Sequence, residues 1–200
     1  MKVICFGDSL TSCGGPGGRY SDILQDRFPE LHIVNCGIGG QTFVEAKERL
    51  ESDVLAARPD AVLVEYGAND WWRDERPPAA WAADLAEIIE RIQAIGAKVA
   101  VLGVFGLYRD PVSGQLREKV YGSDERSRAY RELERAVAES HGCPYVDNIQ
   151  RDIIDDRCCW TDRNHPNEHG NRRVADLIAP ILTAWSGQQE QPVRKQRLRT

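Results

Sequence analysis

The sequence lacks any long apolar run. None of its apolar stretches approaches the roughly 18 residues that a membrane-spanning helix needs, so we expect no stable membrane insertion. The first residues also lack a secretory pattern, because only the short apolar run Val3–Phe6 separates Lys2 from Gly7. We therefore expect a cytoplasmic protein.

The sequence also has no excess of positive charge. It holds 26 basic and 31 acidic residues among 200, for a formal net charge of −5, which disfavours general binding to nucleic acid. The charge is uneven, since residues 187–200 contain one acidic and four basic side chains. We interpret residues 1–186 as a single acidic domain and residues 187–200 as a polar, flexible, basic tail.

Six cysteines are present, but no two of them form the C-x-x-C pair that is typical of zinc and redox sites. Cys158 and Cys159 are adjacent, and we expect all six thiols to be reduced. Cys5 and Cys36 lie within or at the end of apolar runs, which predicts small core residues. We expect no metal and no organic cofactor, while the oligomeric state stays open.

Short apolar runs alternate with helical patterns along the chain. The runs predicted to be buried strands are Lys2–Phe6, Leu31–Asn35, Asp60–Tyr66, Lys98–Val104 and Pro144–Asp147. The segments predicted to be helices are Arg19–Phe28, Phe43–Leu55, Ala79–Ile95, a segment that follows Ser123, and Gly170–Trp185. This alternation predicts an α/β fold in which helices cover both faces of a parallel sheet.

Two segments between these elements have no clear periodicity. Phe105–Gly122 is long for a loop, so it is a candidate to cover a site. Cys13–Gly18 is rich in glycine, but no nucleotide-binding glycine pattern fits its spacing. We interpret it either as a flexible loop that admits substrate or as a plain spacer.

Three predicted strands run into polar segments where they end. These segments are Gly7-Asp8-Ser9-Leu10, Asn35–Thr42 and Gly67-Ala68-Asn69-Asp70. The carboxyl ends of parallel strands share one edge, where ligands bind in open α/β sheets. A serine hydroxyl, a glycine N–H and an asparagine amide are the nucleophile and the two oxyanion donors that acyl transfer needs. The sequence thus predicts that Ser9, Gly40 and Asn69 share a site.

A nucleophilic serine needs a base, and the chain has only four histidines. His32 falls within a predicted buried strand, and His141 falls at a helix end. His165 lies in a loop three residues after Asp162, so a tight turn could bring that carboxylate against the imidazole. His165 is therefore the favoured base, oriented by Asp162.

Taken together, these segments resemble the SGNH hydrolases, also called the GDSL esterases and lipases. The matching segments are Gly7-Asp8-Ser9-Leu10, the segment ending at Gly40, Gly67-Ala68-Asn69-Asp70 and Asp162-Arg163-Asn164-His165, in the order of the family. The resemblance covers residues 2 to about 185. It implies a three-layer, doubly wound, flavodoxin-like fold with five parallel strands in the order 2-1-3-4-5.

The resemblance also implies roles for individual residues. Ser9 is the expected nucleophile, His165 the base and Asp162 the acid that orients it. The expected oxyanion donors are the Ser9 N–H, Gly40 and Asn69. The implied reaction is hydrolysis of a small-molecule ester or thioester, with a small to medium acyl group, through an acyl-serine intermediate.

The substrate-binding residues are the least defined part of the expected site. Trp71 and Trp72 follow the asparagine segment directly, and two tandem tryptophans on a loop cannot easily both point inward. Tyr108 lies in the long segment after the fourth strand. We assign these three aromatic residues and Asp8 to substrate binding.

Two other functions stay open. The chain could be a binding protein that keeps this fold without turnover and recognises a small ligand or a partner through Trp71, Trp72 and the basic tail. It could instead be a metal-dependent hydrolase that uses His165 and His169. The second is less favoured, because the order H-P-N-E-H differs from H-E-x-x-H and Pro166 predicts that the helix begins after His165. We expect His169 to be exposed or at the pocket rim.

Overall fold

The chain forms a parallel five-stranded sheet. The computed structural model describes residues 1–105, 125–154, 156–162 and 164–187, and the backbone of residues 108–109 and 116–117. The strands are β1 (Lys2–Gly7), β2 (His32–Asn35), β3 (Ala61–Glu65), β4 (Lys98–Leu102), β5 (Tyr108–Arg109), β6 (Leu116–Arg117) and β7 (Tyr145–Val146). The parallel sheet has the order β2-β1-β3-β4-β7, while β5 and β6 form a separate antiparallel pair. The predicted fold class and strand order are confirmed.

Helices cover both faces of this sheet. They are α1 (Ser9–Ser12), α2 (Tyr20–Arg27), α3 (Phe43–Leu50), α4 (Ala68–Arg73), α5 (Pro78–Ala94), α6 (Glu125–Ser140) and α7 (Glu168–Ser186). A π-helical turn, Glu51–Leu55, continues α3, and a 3₁₀ turn covers Arg157–Cys159. Helix α2 packs on α7, while α5 packs on both α3 and α6. Helices α1 and α4 were not predicted, because each is too short to show a helical period.

The central strands are buried because helices cover them on both sides. β1 pairs in parallel with β2 and with β3, and every residue of β1 after Lys2 is buried. Such strands read as continuous apolar runs rather than as alternating ones. A second part of the core surrounds Trp81, whose ring centroid lies 5.0 Å from that of Tyr130 and 5.4 Å from that of Phe43. This packing holds the strand ends that carry the polar segments.

Several expectations can be compared directly with this fold. Cys5 is buried and Cys36 is partly buried, and all six cysteines are free thiols. His32 was expected inside a buried strand, but it is exposed because it begins the edge strand β2. Within the described ranges, no helix is long and apolar enough to cross a membrane.

The glycine-rich segment after α1 is held in place. The side-chain amide of Asn171 on α7 donates hydrogen bonds of 2.9 Å to the carbonyls of Cys13 and Gly18. These bonds join both ends of the segment to α7, while its use as a substrate entrance or as a spacer stays a prediction. The candidate cover Phe105–Gly122 lies outside the described residues, apart from Phe105 and the backbone of β5 and β6, and so does the basic tail from residue 188 onward.

Candidate active site

Ser9 stands on a sharp turn between β1 and α1. Asp8 caps α1, since its Oδ1 accepts a hydrogen bond of 2.9 Å from the Leu10 N–H. A Cβ atom on Gly7 would lie only 2.7 Å from the Glu65 carbonyl oxygen, so only glycine fits this close approach. The Ser9 N–H lies in the first turn of α1, where a helix has no internal acceptor for it. The turn thus places both the hydroxyl and the N–H of Ser9 at the sheet edge.

The structure joins Ser9, His165 and Asp162 in one hydrogen-bonded chain. His165 Nε2 lies 3.0 Å from Ser9 Oγ, and His165 Nδ1 lies 2.8 Å from Asp162 Oδ2. Ser9 and His165 are 156 positions apart in the sequence, so only the fold brings them together. The arrangement has the order of contacts needed to move a proton from the serine hydroxyl to a histidine held in one tautomer.

The loop that carries Asp162 and His165 is closed at its base by backbone pairing. Trp160 and Pro166 form an antiparallel bridge, and the Thr161 N–H donates to the His165 carbonyl at 2.9 Å. At the tip, Asp162 Oδ1 accepts the Asn164 N–H at 2.7 Å and the His165 N–H at 2.9 Å. These bonds hold the carboxylate against the imidazole.

The same hydrogen bonds keep Asp162 ionised. Desolvation opposes the shift, but the Asn164 N–H and then the contacts with His165 lower the pKa of Asp162 to about 2. Asp162 is therefore a carboxylate at any pH near neutrality. It can stabilise a positively charged His165.

The two expected oxyanion residues, Gly40 and Asn69, come from adjacent loops. Gly67 has a φ of 115° and leads β3 into α4, and Asn69 lies in the first turn of that helix. Asn69 Nδ2 donates to Asp8 Oδ2 at 2.8 Å and to the Gln41 carbonyl at 2.9 Å. Gly40 has a φ of 80°, a left-handed conformation that favours glycine. These contacts tie the segments of Ser9, Gly40 and Asn69 to one another.

Asp70, on α4, forms a second contact with the segment that contains Gly40 and leads into α3. Its carboxylate accepts the Phe43 N–H at the start of α3, with distances of 3.2 and 3.3 Å to the two oxygens. Burial raises the pKa of Asp70 to about 7, against the lowering effect of the Phe43 N–H. Asp70 belongs to the segment Gly67-Ala68-Asn69-Asp70, in which the sequence assigns it no role. Its position at the start of a helix, one residue after Asn69, explains its contact.

Glu65 is a buried carboxyl group that the sequence analysis missed. It ends β3 and is fully buried beneath Ser9, where its Oε2 accepts the Thr11 hydroxyl at 2.8 Å and the Asp8 N–H at 3.3 Å. Burial, and then the charge of Asp8, raise the pKa of Glu65 well above its ordinary value. The signal in the sequence was an acidic residue directly after the apolar run Ala61–Val64.

Asp8 does not lie where a substrate could contact it. Its side chain is fully buried, and its oxygens accept hydrogen bonds from Leu10 and Asn69. Burial raises the pKa of Asp8 to about 6, while the Leu10 N–H is the strongest of the groups that lower it. This placement corrects the assignment to substrate binding, because both carboxylate oxygens are directed into the protein. Asp8 instead joins the Ser9 turn to Asn69.

The aromatic candidates differ in their surroundings. Trp72 is 65% exposed, whereas Trp71 packs against the core with the Arg126 guanidinium 4.6 Å from its ring centroid. Their ring centroids lie 6.3 Å apart. The Tyr108 side chain lies outside the described part of the structure, although its backbone pairs with Arg117. Trp72 is thus the more accessible of the two tryptophans.

A cavity of about 310 Å³ adjoins the Gly40 loop. Arg73, which lines it, donates to the Gly40 carbonyl at 2.6 Å and to Glu45 at 3.1 Å. Its lining residues are mainly charged or polar: Thr42, Val44, Glu45, Glu48, Asp70, Arg73, Glu75 and Arg76. A larger cavity of about 800 Å³, lined by Met1, Asp60 and Lys98 among others, lies at the opposite edge, before β3 and β4 begin. Of these two cavities, the smaller lies next to the polar segments.

His165 and His169 do not act together in this structure. Both ring nitrogens of His165 are engaged by Ser9 and Asp162. His169 is exposed, as expected, on the first turn of α7, and it lies near Asp156 and Cys159 instead. The metal hypothesis based on the pair of histidines is therefore not supported by their placement.

Comparison with known proteins decides the family. The sequence profile of the GDSL-like lipase/acylhydrolase family matches residues 5–173, which is most of the chain. The chain belongs to this GDSL family. Its membership, together with relatives named as esterases, identifies a carboxylic ester hydrolase.

Two relatives and one solved structure illustrate the relationship of this GDSL protein to others. It is 27% identical to an acetylxylan esterase of Geobacillus stearothermophilus, over 87% of this chain and 90% of that protein. It is 33% identical to the esterase TesA of Pseudomonas aeruginosa, over 52% of this chain and 54% of that protein. The crystal structure of a protein named TesA matches with a TM-score of 0.79 at 22% identity, covering 92% of this chain and 99% of that one. This last similarity shows that the GDSL protein shares the TesA fold.

Proposed function

We propose that this GDSL protein is a serine esterase that hydrolyses carboxylic esters or thioesters of small to medium acyl groups through an acyl-serine intermediate. The observation that carries the proposal is the chain of contacts from Ser9 Oγ to His165 Nε2 at 3.0 Å and from His165 Nδ1 to Asp162 at 2.8 Å. A hydroxyl, an imidazole and a carboxylate in this order form the machinery of nucleophilic acyl transfer.

In the first half of the reaction, Ser9 Oγ attacks the carbonyl carbon of the ester and His165 Nε2 takes the hydroxyl proton. The tetrahedral intermediate then expels the alcohol or thiol, which receives that proton from His165. Asp162 stays ionised and stabilises the imidazolium, as its low pKa allows. The product of this half is Ser9 esterified with the acyl group.

The negative charge on the substrate oxygen needs hydrogen-bond donors. We assign this role to the N–H groups of Ser9 and Gly40 and to the Asn69 amide. Asn69 now donates to Asp8 and to the Gln41 carbonyl. In the proposed reaction, the N–H now directed to Gln41 turns to the oxyanion, while Asp8 keeps hold of the other N–H.

In the second half, His165 removes a proton from a water molecule that attacks the acyl-serine. The acid is released, and Ser9 regains its proton from His165. Every proton moves between Ser9, His165, water and the leaving group, so this scheme balances with these residues alone.

The surroundings of the Gly40 loop favour a polar substrate. The cavity beside this loop is lined mainly by charged side chains, with Val44 as the one apolar lining residue. Ser9, Asn69 and His165 do not line this cavity, so it bears on a part of the substrate away from the reacting carbonyl. One relative is named an acetylxylan esterase. These observations support a short acyl group on a polar alcohol.

Labelling with a fluorophosphonate probe tests the proposal, because this probe reacts with activated serine hydroxyls. We expect one label per chain on Ser9, with no label on Ser9→Ala. Ser12→Ala is the matched control, since Ser12 lies on the same short helix and its hydroxyl only contacts the Asp8 carbonyl. Absence of labelling in the folded wild-type protein, together with no ester turnover, would favour the binding protein without catalysis.

A further inference from the structure

A second group of reactive side chains lies beside the catalytic loop. Asp156, Cys159 and His169 each present one ligand atom, and these three atoms lie within 4.8 Å of one another. None of the three residues takes part in the proposed reaction. Cys159 is fully buried, whereas His169 is exposed.

The chemistry of these three side chains matches one class of ligand. A thiolate, an imidazole and a carboxylate are the three kinds of side chain that bind Zn²⁺ in proteins. Thiolate and imidazole together select borderline-soft transition metals over Mg²⁺ or Ca²⁺, which prefer oxygen ligands. A tetrahedral ion held by three side chains keeps its fourth position for a solvent molecule.

The local structure already holds the three groups together. Asp156 caps the 3₁₀ turn, with its Oδ1 accepting the Cys158 N–H at 2.9 Å. The Cys159 thiol forms a hydrogen bond with the Asp156 carboxylate. His169 and Arg173, one turn apart on α7, both face the Asp156 carboxylate. The Asp156 carboxylate therefore lies beside one sulfur donor and one nitrogen donor.

The group lies at the base of the catalytic loop. The Asn167 N–H donates to the Cys159 carbonyl at 2.9 Å, which closes the loop from one side to the other. Asp156 and Cys159 precede the loop, and His169 follows it. An ion bound by all three would join the two sides below Asp162 and His165.

We propose that Asp156, Cys159 and His169 bind a transition-metal ion of the Zn²⁺ class, and that this ion clamps the base of the loop that carries Asp162 and His165. Binding converts the Cys159 thiol into a metal-bound thiolate, and the displaced proton passes to the solvent. The ion takes no part in ester hydrolysis, so its role is structural.

Titration of the reduced, untagged full chain with Co²⁺ and then with Zn²⁺ tests this site without relying on activity. We expect one Co²⁺ per chain, with a thiolate-to-cobalt charge-transfer band in the near ultraviolet that Zn²⁺ removes by displacement. We also expect Zn²⁺ to raise the Tm, because a ligand that binds only the folded state stabilises it. Absence of the band and of a Tm shift in the wild-type protein would overturn the proposal.

Four variants locate the ion. Cys159→Ser should abolish the band, and His169→Ala should weaken metal binding by at least about 10-fold. His169 is exposed, so the second variant is expected to fold even if the first does not. Cys158→Ser controls for the adjacent exposed thiol and should keep the band. His165→Ala should keep it too, whereas loss of the band there would place the ion at the catalytic residues and contradict the proposal.

Discussion

The side-chain amide of Asn69 donates a hydrogen bond of 2.8 Å to the buried carboxylate of Asp8. Asp8 also accepts the Leu10 N–H through its other oxygen, so one carboxylate joins the Ser9 turn to the Asn69 helix. This contact fixes the distance between the proposed nucleophile and a proposed oxyanion donor. It makes Asp8 a positioning residue.

Replacing Asp8 with asparagine tests this positioning role. The carboxylate offers one oxygen to Leu10 and the other to Asn69, whereas the amide of Asp8→Asn turns an NH2 donor toward one of these N–H groups. Loss of one charge-assisted hydrogen bond predicts a fall in kcat of about 10-fold or more with little change in KM. Steady-state kinetics on a short p-nitrophenyl ester measures both constants.

Asp26→Asn is the matched control, because Asp26 is an exposed acid on α2. Its kcat should equal that of the wild-type protein. A wild-type kcat in Asp8→Asn would mean that Asn69 is positioned without Asp8.

Removing the Asn69 amide itself should slow catalysis further. We expect Asn69→Ala to lower kcat by roughly 10² to 10³, the effect of losing one oxyanion donor. Labelling of Ser9 by a fluorophosphonate should still proceed, only more slowly, because the contact between Ser9 and His165 does not involve Asn69. An unchanged kcat would remove Asn69 from the proposed oxyanion hole.

Substitutions of His165 and Asp162 should have graded effects. His165→Ala should lose several orders of magnitude in kcat, since among the described residues only His165 contacts Ser9 Oγ as a base. Asp162→Ala should lose less, because His165 Nε2 would remain close to Ser9 Oγ. The two variants are compared on the same ester. A larger loss in Asp162→Ala than in His165→Ala would contradict the assigned roles.

The burial of the Glu134 carboxyl group predicts how the free energy of unfolding depends on pH. It is fully buried on α6 and accepts a hydrogen bond of 2.9 Å from the Tyr145 hydroxyl. Burial raises the pKa of Glu134 to about 8, against the lowering effect of Tyr145. In the unfolded chain the group ionises near its ordinary pKa of about 4.3. The unfolded state is therefore favoured progressively as pH rises from about 4 to about 8.

Glu134→Gln removes this ionisable group while it keeps a similar shape. Its Tm should exceed that of the wild-type protein at pH 8, by roughly 2–4 °C for each kcal/mol regained. The difference should shrink toward pH 5, where the wild-type carboxyl is protonated in the folded state. Glu139→Gln, an exposed position on the same helix, should show no such difference. Thermal melts across this pH range provide the comparison.

A series of esters with increasing acyl chain length tests the proposed substrate class. The proposed short acyl group predicts that kcat/KM on p-nitrophenyl esters falls from acetate toward palmitate. Arg73→Ala is informative in the same series, because Arg73 donates to Gly40 and lines the cavity near it. We expect it to raise KM for polar acetyl esters. A kcat/KM that rises toward palmitate would contradict the proposed substrate class.

Much of the fold follows from local sequence patterns. The alternation of apolar runs and helical periods places five strands and five helices to within a few residues, because buried strands and amphipathic helices leave direct patterns. Helices α1 and α4 leave none, since four and six residues are too few. The strand order came from family resemblance, because a pattern along the chain does not say which strands are neighbours.

The residues of the proposed site also divide into those that the sequence predicts and those that it does not. Ser9, Gly40, Asn69, Asp162 and His165 were all recognisable as residues at strand ends or in a loop with a suitable spacing. Asp8 was recognised but given the wrong surroundings, and Glu65 was missed. Both side chains are buried, and the sequence does not predict this because the segments that cover a polar side chain are distant from it along the chain.

The sequence by itself determined the residue types available for acyl transfer and the parallel α/β architecture that brings strand ends to one edge. Only the tertiary structure decided that His165 contacts Ser9, that Asp8 holds Asn69, and that His169 lies with Cys159 rather than with His165. The physical reason is that hydrogen bonds act over about 3 Å and metal–ligand bonds over about 2 Å, distances that are set by packing between elements rather than by the order of residues.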